Sequence, residues 1–238
     1  EGGSIWRATW GGSAWSHTEV VANDGAGHMG CTDVALSDDG ACVAGANALG
    51  AASSKKKGKL HIWRSATGTS TSIEGPTVGD GWGRGVHFGG DCEYLVASGT
   101  LGYIQSVSGT GGQDAVGERG FIRVYTWDSG SDAWVQRGID LVGLTTHSRL
   151  GTSVRITDDG TTIVAAKMPA FASAGEQGTS RVFTWIPLLG AYFHSGNLDV
   201  HSGGGLGAID MTPDGKRIVA YNGWNSHEFR EVPLCSTA

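Results

Sequence analysis

Apolar and polar positions along this chain alternate in short runs, and one strand-and-turn phrase recurs four times. Each copy is an apolar strand that ends in a turn rich in Asp or Gly, and a second apolar strand follows it. The copies begin 52, 68 and 55 residues after one another, at Val34, Val86, Val154 and Ile209. A period of this size indicates units that cannot bury their own apolar face and must stack on copies of themselves.

The second half of each unit opens at a glycine and contains two more short strands. Glycine begins this half at Gly3, Gly58, Gly120 and Gly178. In three copies a tryptophan stands seven residues after the glycine, at Trp10, Trp127 and Trp185. Short strands rich in Val, Ile, Tyr and Trp, separated by Gly-containing loops, are typical of β-hairpins. No window has a helical period, so the sequence predicts almost no helix.

Four strands per unit, repeated radially, predict an all-β fold, a β-propeller of four-stranded antiparallel blades. We expect the tryptophans to pack between blades. One domain would cover residues 1–238, with blade segments of about 1–25, 26–78, 79–143, 144–200 and 201–238.

The two ends of the chain leave the number of blades open between four and five. The chain begins in the second half of a unit and ends after the first half of one, so the N-terminal strands could complete the C-terminal blade and close a four-bladed ring. However, Glu228–Leu234 resembles the third strand Arg181–Leu188, which indicates a fifth blade. In that case the chain could belong to a larger propeller or a longer polypeptide.

These phrases resemble the FG-GAP repeat of integrin α-chain propellers and of many secreted or surface proteins. Leu150-Gly151-Thr152-Ser153-Val154 with Asp159-Gly160 is the best copy of the first half, and Gly120 to Trp134 of the second. The resemblance implies a propeller, and its motifs specify fold more than activity. Propellers of this family often carry calcium in Asp-x-Asp-x-Asp-Gly loops. Because Asp38-Asp39-Gly40 and Asp158-Asp159-Gly160 lack that spacing, we interpret them as turns.

Charge and composition exclude some classes of partner. The net charge is −6 and the pI about 5.7, whereas a nucleic-acid surface needs a cationic footprint. The one basic run, Lys55-Lys56-Lys57, is interpreted as a solvated loop tip. No apolar stretch is long enough to span a bilayer.

The four cysteines are too widely spaced for a zinc site. Cys42 aligns with Leu or Ile of other units and is interpreted as a small buried hydrophobe. Cys31, Cys92 and Cys235 are the disulfide candidates. An even number of cysteines, together with the family resemblance, favours an oxidising compartment, and hence an extracellular or cell-surface location.

Three histidines stand at the entry to successive blades: His28, His147 and His201. Imidazoles converging near the axis could hold a transition metal, and a metal-dependent oxidoreductase would follow from that. Their unequal offsets from the following glycine favour loop histidines with local hydrogen bonds. We therefore expect no cofactor, with calcium or a transition metal as the weaker alternative.

The sequence contains no motif that combines a nucleophile with a base, and no phosphate-binding loop that joins a strand to a helix. The long loops between second and third strands are instead expected to bind a partner, because long loops in a compact fold are commonly functional. The prediction is a non-catalytic binding or structural protein, with a protein or glycan as its partner. A structural subunit is preferred to a free lectin. The loop residues chosen for recognition are Tyr103, Gln105, Gln113, Phe171 and Gln177.

An enzyme is the alternative interpretation. A polysaccharide-acting hydrolase or lyase would have its site at the axial mouth of the propeller, with Asp114, Glu118 and Glu176 as candidate acids. Since propellers host both binding and catalysis, the fold alone does not decide between them. Two or three carboxylates converging in one axial cleft would favour the enzyme.

Overall fold

In a computed structural model the chain forms antiparallel β-sheets, joined by turns and loops. The structure describes residues 4–22, 33–47, 57–100, 119–144, 148–167, 179–199 and 206–222. The one helical element in these ranges is a 3₁₀ turn, Pro187–Leu189. Their strands pair into five sheets, which we number sheet 1 to sheet 5 in chain order.

Three of the sheets are built on four strands and two consist of a single pair. Sheet 1 contains β1 (Ile5–Trp10) and β2 (Trp15–Val21); sheet 2 contains β3 (Val34–Leu36), β4 (Cys42–Asn47), β5 (Lys59–Arg64) and β6 (Thr69–Glu74). Sheet 3 contains β7 (Trp82–Gly89), β8 (Tyr94–Gly99), β9 (Phe121–Asp128) and β10 (Ala133–Gln136), with the short β11 (Leu141–Val142) also paired to β9. Sheet 4 contains β12 (Leu150–Ile156), β13 (Thr162–Lys167), β14 (Thr179–Ile186) and β15 (Ala191–Asp199), and sheet 5 contains β16 (Leu206–Met211) and β17 (Ile218–Asn222).

The strand order confirms the repeat unit that the sequence predicts. In sheets 2, 3 and 4 the four strands lie side by side in chain order, each antiparallel to the next. Sheet 1 supplies the third and fourth strands of a unit, and sheet 5 the first and second. The fold is therefore all-β, with consecutive antiparallel sheets of four strands.

Neighbouring sheets pack face to face because their strands are apolar on both sides. In β13, Ile163 and Ala165 face the cluster shared with sheet 3, whereas Val164 and Ala166 face the cluster shared with sheet 5. This is the alternation that a strand imposes on successive side chains. Similar apolar clusters join sheets 1 and 2 and sheets 2 and 3. The core is thus a series of layers between sheets.

The first strands of successive sheets lie beside one another, in the order β3, β7, β12 and β16. Each is also the edge strand of its sheet. The sheets therefore converge along their first strands, as the blades of a propeller converge on its axis. We call β3, β7, β12 and β16 the inner strands.

Ring closure is not found among the described residues. Strands β1–β2 and β16–β17 form two separate sheets, so the N-terminal strands do not complete the C-terminal sheet as one expectation had it. Glu228–Leu234, which indicates a fifth blade, lies outside the described residues.

The register corrects the interpretation of Cys42. Val43 pairs with Leu36, as Leu95 pairs with Phe88 and Ile163 with Ile156. Cys42 therefore stands one residue before the Leu/Ile position, and a shift of one residue places a side chain on the opposite face of a sheet. Cys42 is fully buried toward sheet 3, and there it forms a disulfide with Cys92. The bond joins sheet 2 to sheet 3 across 50 residues of chain.

Arginine side chains lie on aromatic rings across three successive sheet interfaces. The guanidinium carbon of Arg7 in sheet 1 lies 4.9 Å from the ring centroid of Trp63 in sheet 2. Arg64 in sheet 2 lies 3.8 Å from Trp127 in sheet 3, and Arg137 in sheet 3 lies 4.2 Å from Trp185 in sheet 4. Such a contact contributes roughly 0.5–2 kcal/mol, depending on how far the cation is desolvated.

The tryptophans within the described ranges divide into two groups. Those between sheets are buried or half-buried, as expected: Trp63, Trp82, Trp127, Trp134 and Trp185. In contrast, Trp6, Trp10 and Trp15 of sheet 1 are 55%, 52% and 67% exposed, because no sheet covers their face in the described residues.

Candidate functional site

The two ends of the sheets carry different connections. Turns between first and second strands meet at one end, where Gly90 N donates to Asp158 Oδ1 at 3.1 Å and Asp158 N donates to the Pro213 carbonyl at 3.0 Å. Antiparallel pairing places the connections between second and third strands, and those between sheets, at the opposite end. We call this opposite end the loop edge.

The residues predicted to bind a partner belong to connections that leave from the loop edge. Tyr103, Gln105 and Gln113 fall in the connection from β8 to β9, and Phe171 and Gln177 in the connection from β13 to β14. All five lie outside the described residues, as do the candidate acids Asp114, Glu118 and Glu176. His28, His147, His201, Cys31 and Cys235 lie outside them as well.

Hydrogen bonds fix the point at which the connection from β8 to β9 returns to its sheet. Arg119 Nε donates to the Gly143 carbonyl at 2.6 Å, and its Nη2 donates to the Leu144 carbonyl at 3.0 Å. Ser148 Oγ in turn donates to the Arg119 carbonyl at 2.7 Å. The stem of the longest connection is thereby tied to the link between sheets 3 and 4, so the base of the loop edge is a rigid scaffold.

Asp80 is a buried carboxylate at the loop edge. Its oxygens accept hydrogen bonds from Thr77 N at 3.0 Å and Trp82 N at 2.8 Å, which shape the link between sheets 2 and 3. Burial raises the pKa of Asp80 above its usual range, and the two backbone donors partly offset that effect. Because the side chain is buried and both oxygens have partners, Asp80 holds the backbone and does not face a substrate.

Polar side chains on the inner strands, or directly before them, bind the backbone of the next sheet. Asp33 Oδ2 accepts from Val86 N at 3.0 Å, His87 Nδ1 from Ile156 N at 3.4 Å, and Ser153 Oγ from Ile209 N at 3.3 Å. An edge strand otherwise leaves its N–H groups without a strand partner. Side chains therefore link the inner strands of neighbouring sheets, at the edges where no further strand pairs with them.

A charged pair and a neutral histidine occupy one repeat position on three inner strands. Arg155 Nε lies 3.0 Å from Asp210 Oδ1, and His87 is the equivalent residue of sheet 3. Burial lowers the pKa of His87 to about 4. The positive charge of Arg155 also lowers this pKa, whereas the negative charges of Asp210 and Asp158 raise it. At neutral pH His87 is uncharged and can accept the hydrogen bond from Ile156 N. The carboxylates of Asp33, directly before β3, and of Asp210 in β16 are thus engaged in contacts between sheets.

The Asp-containing turns between first and second strands use their carboxylates internally. Asp39 Oδ1 accepts from the Ser37 hydroxyl at 2.6 Å and from Ala41 N at 2.8 Å. Asp159 and Asp214 repeat these contacts with Thr157 and Thr212. The hydroxyl of Ser37 lowers the pKa of Asp39, and that of Thr212 lowers the pKa of Asp214 to about 2. These contacts agree with the interpretation of the motifs as turns.

The described residues contain no group of three or more His, Cys, Asp and Glu side chains placed to hold a metal ion. Within the same ranges, no helix is long and apolar enough to cross a membrane.

Comparisons with known proteins give similarity of fold only. No protein-family model and no curated protein matches this sequence, so the FG-GAP resemblance stays a prediction. Among solved structures the chain is similar to Sqt1 from Chaetomium thermophilum, with 15% identity and a TM-score of 0.46 over 79% of this chain and 39% of that one. It is also similar to the tricorn protease, with 11% identity and a TM-score of 0.49 over 93% and 20% of the two chains. An acylaminoacyl peptidase of Pyrococcus horikoshii has 9% identity and a TM-score of 0.42 over 89% and 29%. The chain spans less than half of the length of each of these proteins.

Sequence reasoning missed the residues that join the sheets. Arg64, Arg137 and His87 each contact a neighbouring sheet, and a single unit gives no sign of such contacts. Cys92 did leave a signal, because it stands where the other three turns have glycine at Gly40, Gly160 and Gly215.

Proposed function

We propose that this protein is a non-catalytic binding or structural propeller of FG-GAP type. It presents the loop edge to a protein or glycan partner in an extracellular or cell-surface assembly. The observation that supports the proposal most directly is that the long connections and the links between sheets leave from one end of the sheets. The hydrogen bonds of Arg119 and Ser148 give that end a rigid base. Recognition residues placed on a rigid scaffold bind with a smaller loss of conformational entropy.

The proposed location is consistent with the disulfide between Cys42 and Cys92. Disulfides persist in oxidising compartments and are rare in the reducing cytosol. No cofactor is part of the proposal. A metal held by His28, His147 and His201 is the weaker alternative, and thermal unfolding with and without EDTA, or with added Zn²⁺, tests it.

Binding of the full chain to a glycan array and to solubilised cell-surface proteins tests the proposal. The test variant replaces Tyr103, Gln105 and Gln113 by alanine, and a second replaces Phe171 and Gln177. The control is Leu188→Ala, which alters a side chain 93% exposed in the turn between β14 and β15, at the end of the sheets opposite the loop edge. We expect at least one loop variant to lose binding about tenfold or more while the control binds normally, since hot-spot residues dominate such interfaces.

Equal binding by all three variants would contradict the role of the loop edge. Depolymerisation of a polysaccharide by the native chain would instead favour the hydrolase or lyase.

A further inference from the structure

Sheet 3 contains an arginine whose charge is neutralised by a carboxylate of the same sheet. Arg123 Nε and Nη2 donate to the two oxygens of Asp140 at 2.7 and 2.9 Å, and Gln136 Nε2 donates to Asp140 Oδ1 at 2.9 Å. The side chains of Arg123 and Asp140 are only 19% and 13% exposed. Two parallel hydrogen bonds are a strong and specific way for a guanidinium to bind a carboxylate. A guanidinium and an amide together hold the carboxylate at this place in the repeat.

Sheet 4 has an arginine at the same repeat position. Arg181 in β14 is equivalent to Arg123 in β9, and His194 in β15 is equivalent to Gln136 in β10. The pairings that establish these equivalences are Arg123 with Ala97, Arg181 with Ala165, Tyr125 with Gln136 and Phe183 with His194. The two sheets can therefore be compared residue by residue.

The counter-ion of Arg123 has no counterpart on Arg181. Within the described part of the chain no carboxylate forms an ion pair with Arg181, and its direct cross-strand partner is the neutral Asn197. Arg181 is half-buried, and burial lowers its pKa with no described carboxylate to offset the effect. Because a cation withdrawn from water is unfavourable without a counter-ion, this position favours the binding of an anion.

Asn197 adds a second hydrogen-bond donor beside Arg181. Since the two residues are directly paired, their side chains lie on the same face of sheet 4. His194 Nε2 lies 2.9 Å from Asn197 Oδ1. An amide oxygen can only accept, so the imidazole donates in this contact and the amide nitrogen of Asn197 is a further donor. Arg181 and Asn197 thus offer the same pair of groups, a guanidinium and an amide, that hold the carboxylate in sheet 3.

The two residues lie close to the loop edge. Arg181 is the third residue of β14, and Asn197 is the third from the end of β15. Phe171 and Gln177, which are expected to bind a partner, belong to the connection that leads into β14. A partner seated at the loop edge could therefore place an acidic group on Arg181.

We propose that Arg181 and Asn197 form a subsite that binds the carboxylate of an Asp or Glu side chain from a polypeptide partner. The bound carboxylate takes the place on Arg181 that Asp140 has on Arg123. A peptide side chain is favoured over a uronic acid because the group bound at the equivalent place in sheet 3 is itself an aspartate. The inference rests on the proposed function, since it specifies the chemistry of the partner at the loop edge.

An NMR titration of the full chain with the α-amide of N-acetylaspartate tests the subsite, because the side chain of this probe is its one carboxylate. We expect the Nε–Hε signal of Arg181 to shift and to saturate as the probe is added. The signal of Arg123 should stay in place, since Asp140 already occupies that guanidinium. The α-amide of N-acetylasparagine, which lacks the charge, should shift neither signal.

Substitution of Arg181 should weaken the binding of the probe, followed through the side-chain amide signal of Asn197. Arg181→Gln should raise the dissociation constant about tenfold or more, because hydrogen bonds to a charged group are lost. Arg181→Lys should have a smaller effect, since the charge remains but the planar guanidinium does not. The matched control is Arg84→Gln, which removes an exposed arginine from β7 and should leave binding unchanged.

Asn197→Asp tests the subsite without removing the arginine. The new carboxylate would pair with Arg181 across the two strands and exclude the probe, so the dissociation constant should rise about tenfold. Urea unfolding should show that this variant is at least as stable as the native chain. The variant therefore decides the question even if Arg181→Gln does not fold.

Three results would overturn the proposal. The first is a shift that does not saturate or that is equal for all exposed arginines. The second is unchanged binding of the probe by both Arg181→Gln and Asn197→Asp. The third is tighter binding of glucuronate than of the aspartate probe, which would make an acidic glycan the occupant.

The titration needs no natural partner, so it separates the subsite from the proposed function. Saturable binding of the probe at Arg181, with no partner bound at the loop edge, would support the subsite and reject the proposed function. Partner binding that depends on the loop residues but is unchanged by Arg181→Gln would reject the subsite and support the proposed function.

Discussion

Cys92 adopts the left-handed backbone conformation, with φ of 65°, at a turn position that glycine occupies in three other sheets. A side chain in this conformation costs about 1–2 kcal/mol, and the disulfide with Cys42 accounts for its presence. In a chain without the disulfide, glycine should therefore be the better residue at position 92.

We predict that Cys42→Ala/Cys92→Gly is more stable than Cys42→Ala/Cys92→Ala by about 1 kcal/mol. The relief of backbone strain is partly cancelled by the greater flexibility of glycine in the unfolded chain. Urea unfolding of the two double variants under identical conditions measures the difference. A more stable alanine variant would mean that the turn is not left-handed at residue 92.

His87 should make the stability of the protein depend on pH in the acid range. Its pKa of about 4 lies below the value of about 6.5 in an unfolded chain, so the unfolded state binds more protons between these two values. The uncharged His87 side chain thereby contributes up to roughly 3 kcal/mol to the free energy of unfolding. This contribution is fully present above about pH 6.5 and is lost as the pH falls to about 4.

The difference in unfolding free energy between the native chain and His87→Gln isolates this effect. We expect that difference to shrink or change sign between pH 7 and pH 4. A difference for His87→Gln that does not vary with pH would contradict the account.

Arg64 combines an aromatic contact with a hydrogen bond at the interface of sheets 2 and 3. Replacing it by alanine should lower the unfolding free energy by about 1–3 kcal/mol, the sum of a partly desolvated cation–π contact and a charge-assisted hydrogen bond. Removal of the exposed Arg84 should change stability by about 0.5 kcal/mol or less. Chemical denaturation measures both, and equal effects would show that Arg64 does not join the sheets.

In sheets 2 and 3, the glycine that opens the third strand has a steric role. A Cβ on Gly58 would collide with the Trp82 carbonyl oxygen and lie 2.9 Å from Trp82 Cβ in the next sheet. In sheet 3, Gly120 approaches Leu150 in the same way, and a parallel bridge joins the two residues. The sequence shows a glycine at this position in four units, and for Gly58 and Gly120 the reason is the close approach of the next sheet.

Gly58→Ala should destabilise the protein by about 1–3 kcal/mol, because the backbone of Trp82 must move. The control is Gly196→Ala in β15, where a Cβ would meet nothing within 4 Å. This control should be neutral or slightly stabilising. Thermal unfolding of both variants provides the comparison, and a neutral Gly58→Ala would contradict the close packing of sheets 2 and 3.

The strands could be predicted well from the sequence, whereas the face of the sheet on which each side chain lies could not. The alternation of apolar residues and the repeated turns identify the strands of each unit because these signals are local. Cys42 shows the limit, since Cys42-Val43-Ala44 resembles the Leu-Val-Ala and Ile-Val-Ala runs of other units, whereas the register places Cys42 one residue earlier and hence on the opposite face of its sheet. Its partner Cys92 is far away in the chain, so only the packing of two sheets brings the two sulfur atoms together.

For the molecule as a whole, the repeat predicts stacked four-stranded sheets because each unit is apolar on both faces. The arginine–tryptophan contacts could not be predicted, because their partners belong to different units and differ from one interface to the next. The way in which a ring of sheets would close could not be predicted either, since the two ends of the sequence support both four and five sheets. The candidate binding residues follow from loop length alone, and the described residues explain only the scaffold beneath them.

Peptide mapping of the unreduced protein tests whether consecutive sheets pack against each other. Proteolysis under non-reducing conditions, followed by mass spectrometry, identifies which cysteines are joined. We predict a cross-linked pair of peptides that contain Cys42 and Cys92, because these residues face each other between sheets 2 and 3. A bond from Cys92 to Cys31 or Cys235, or a free thiol at Cys42 in oxidised material, would contradict that packing.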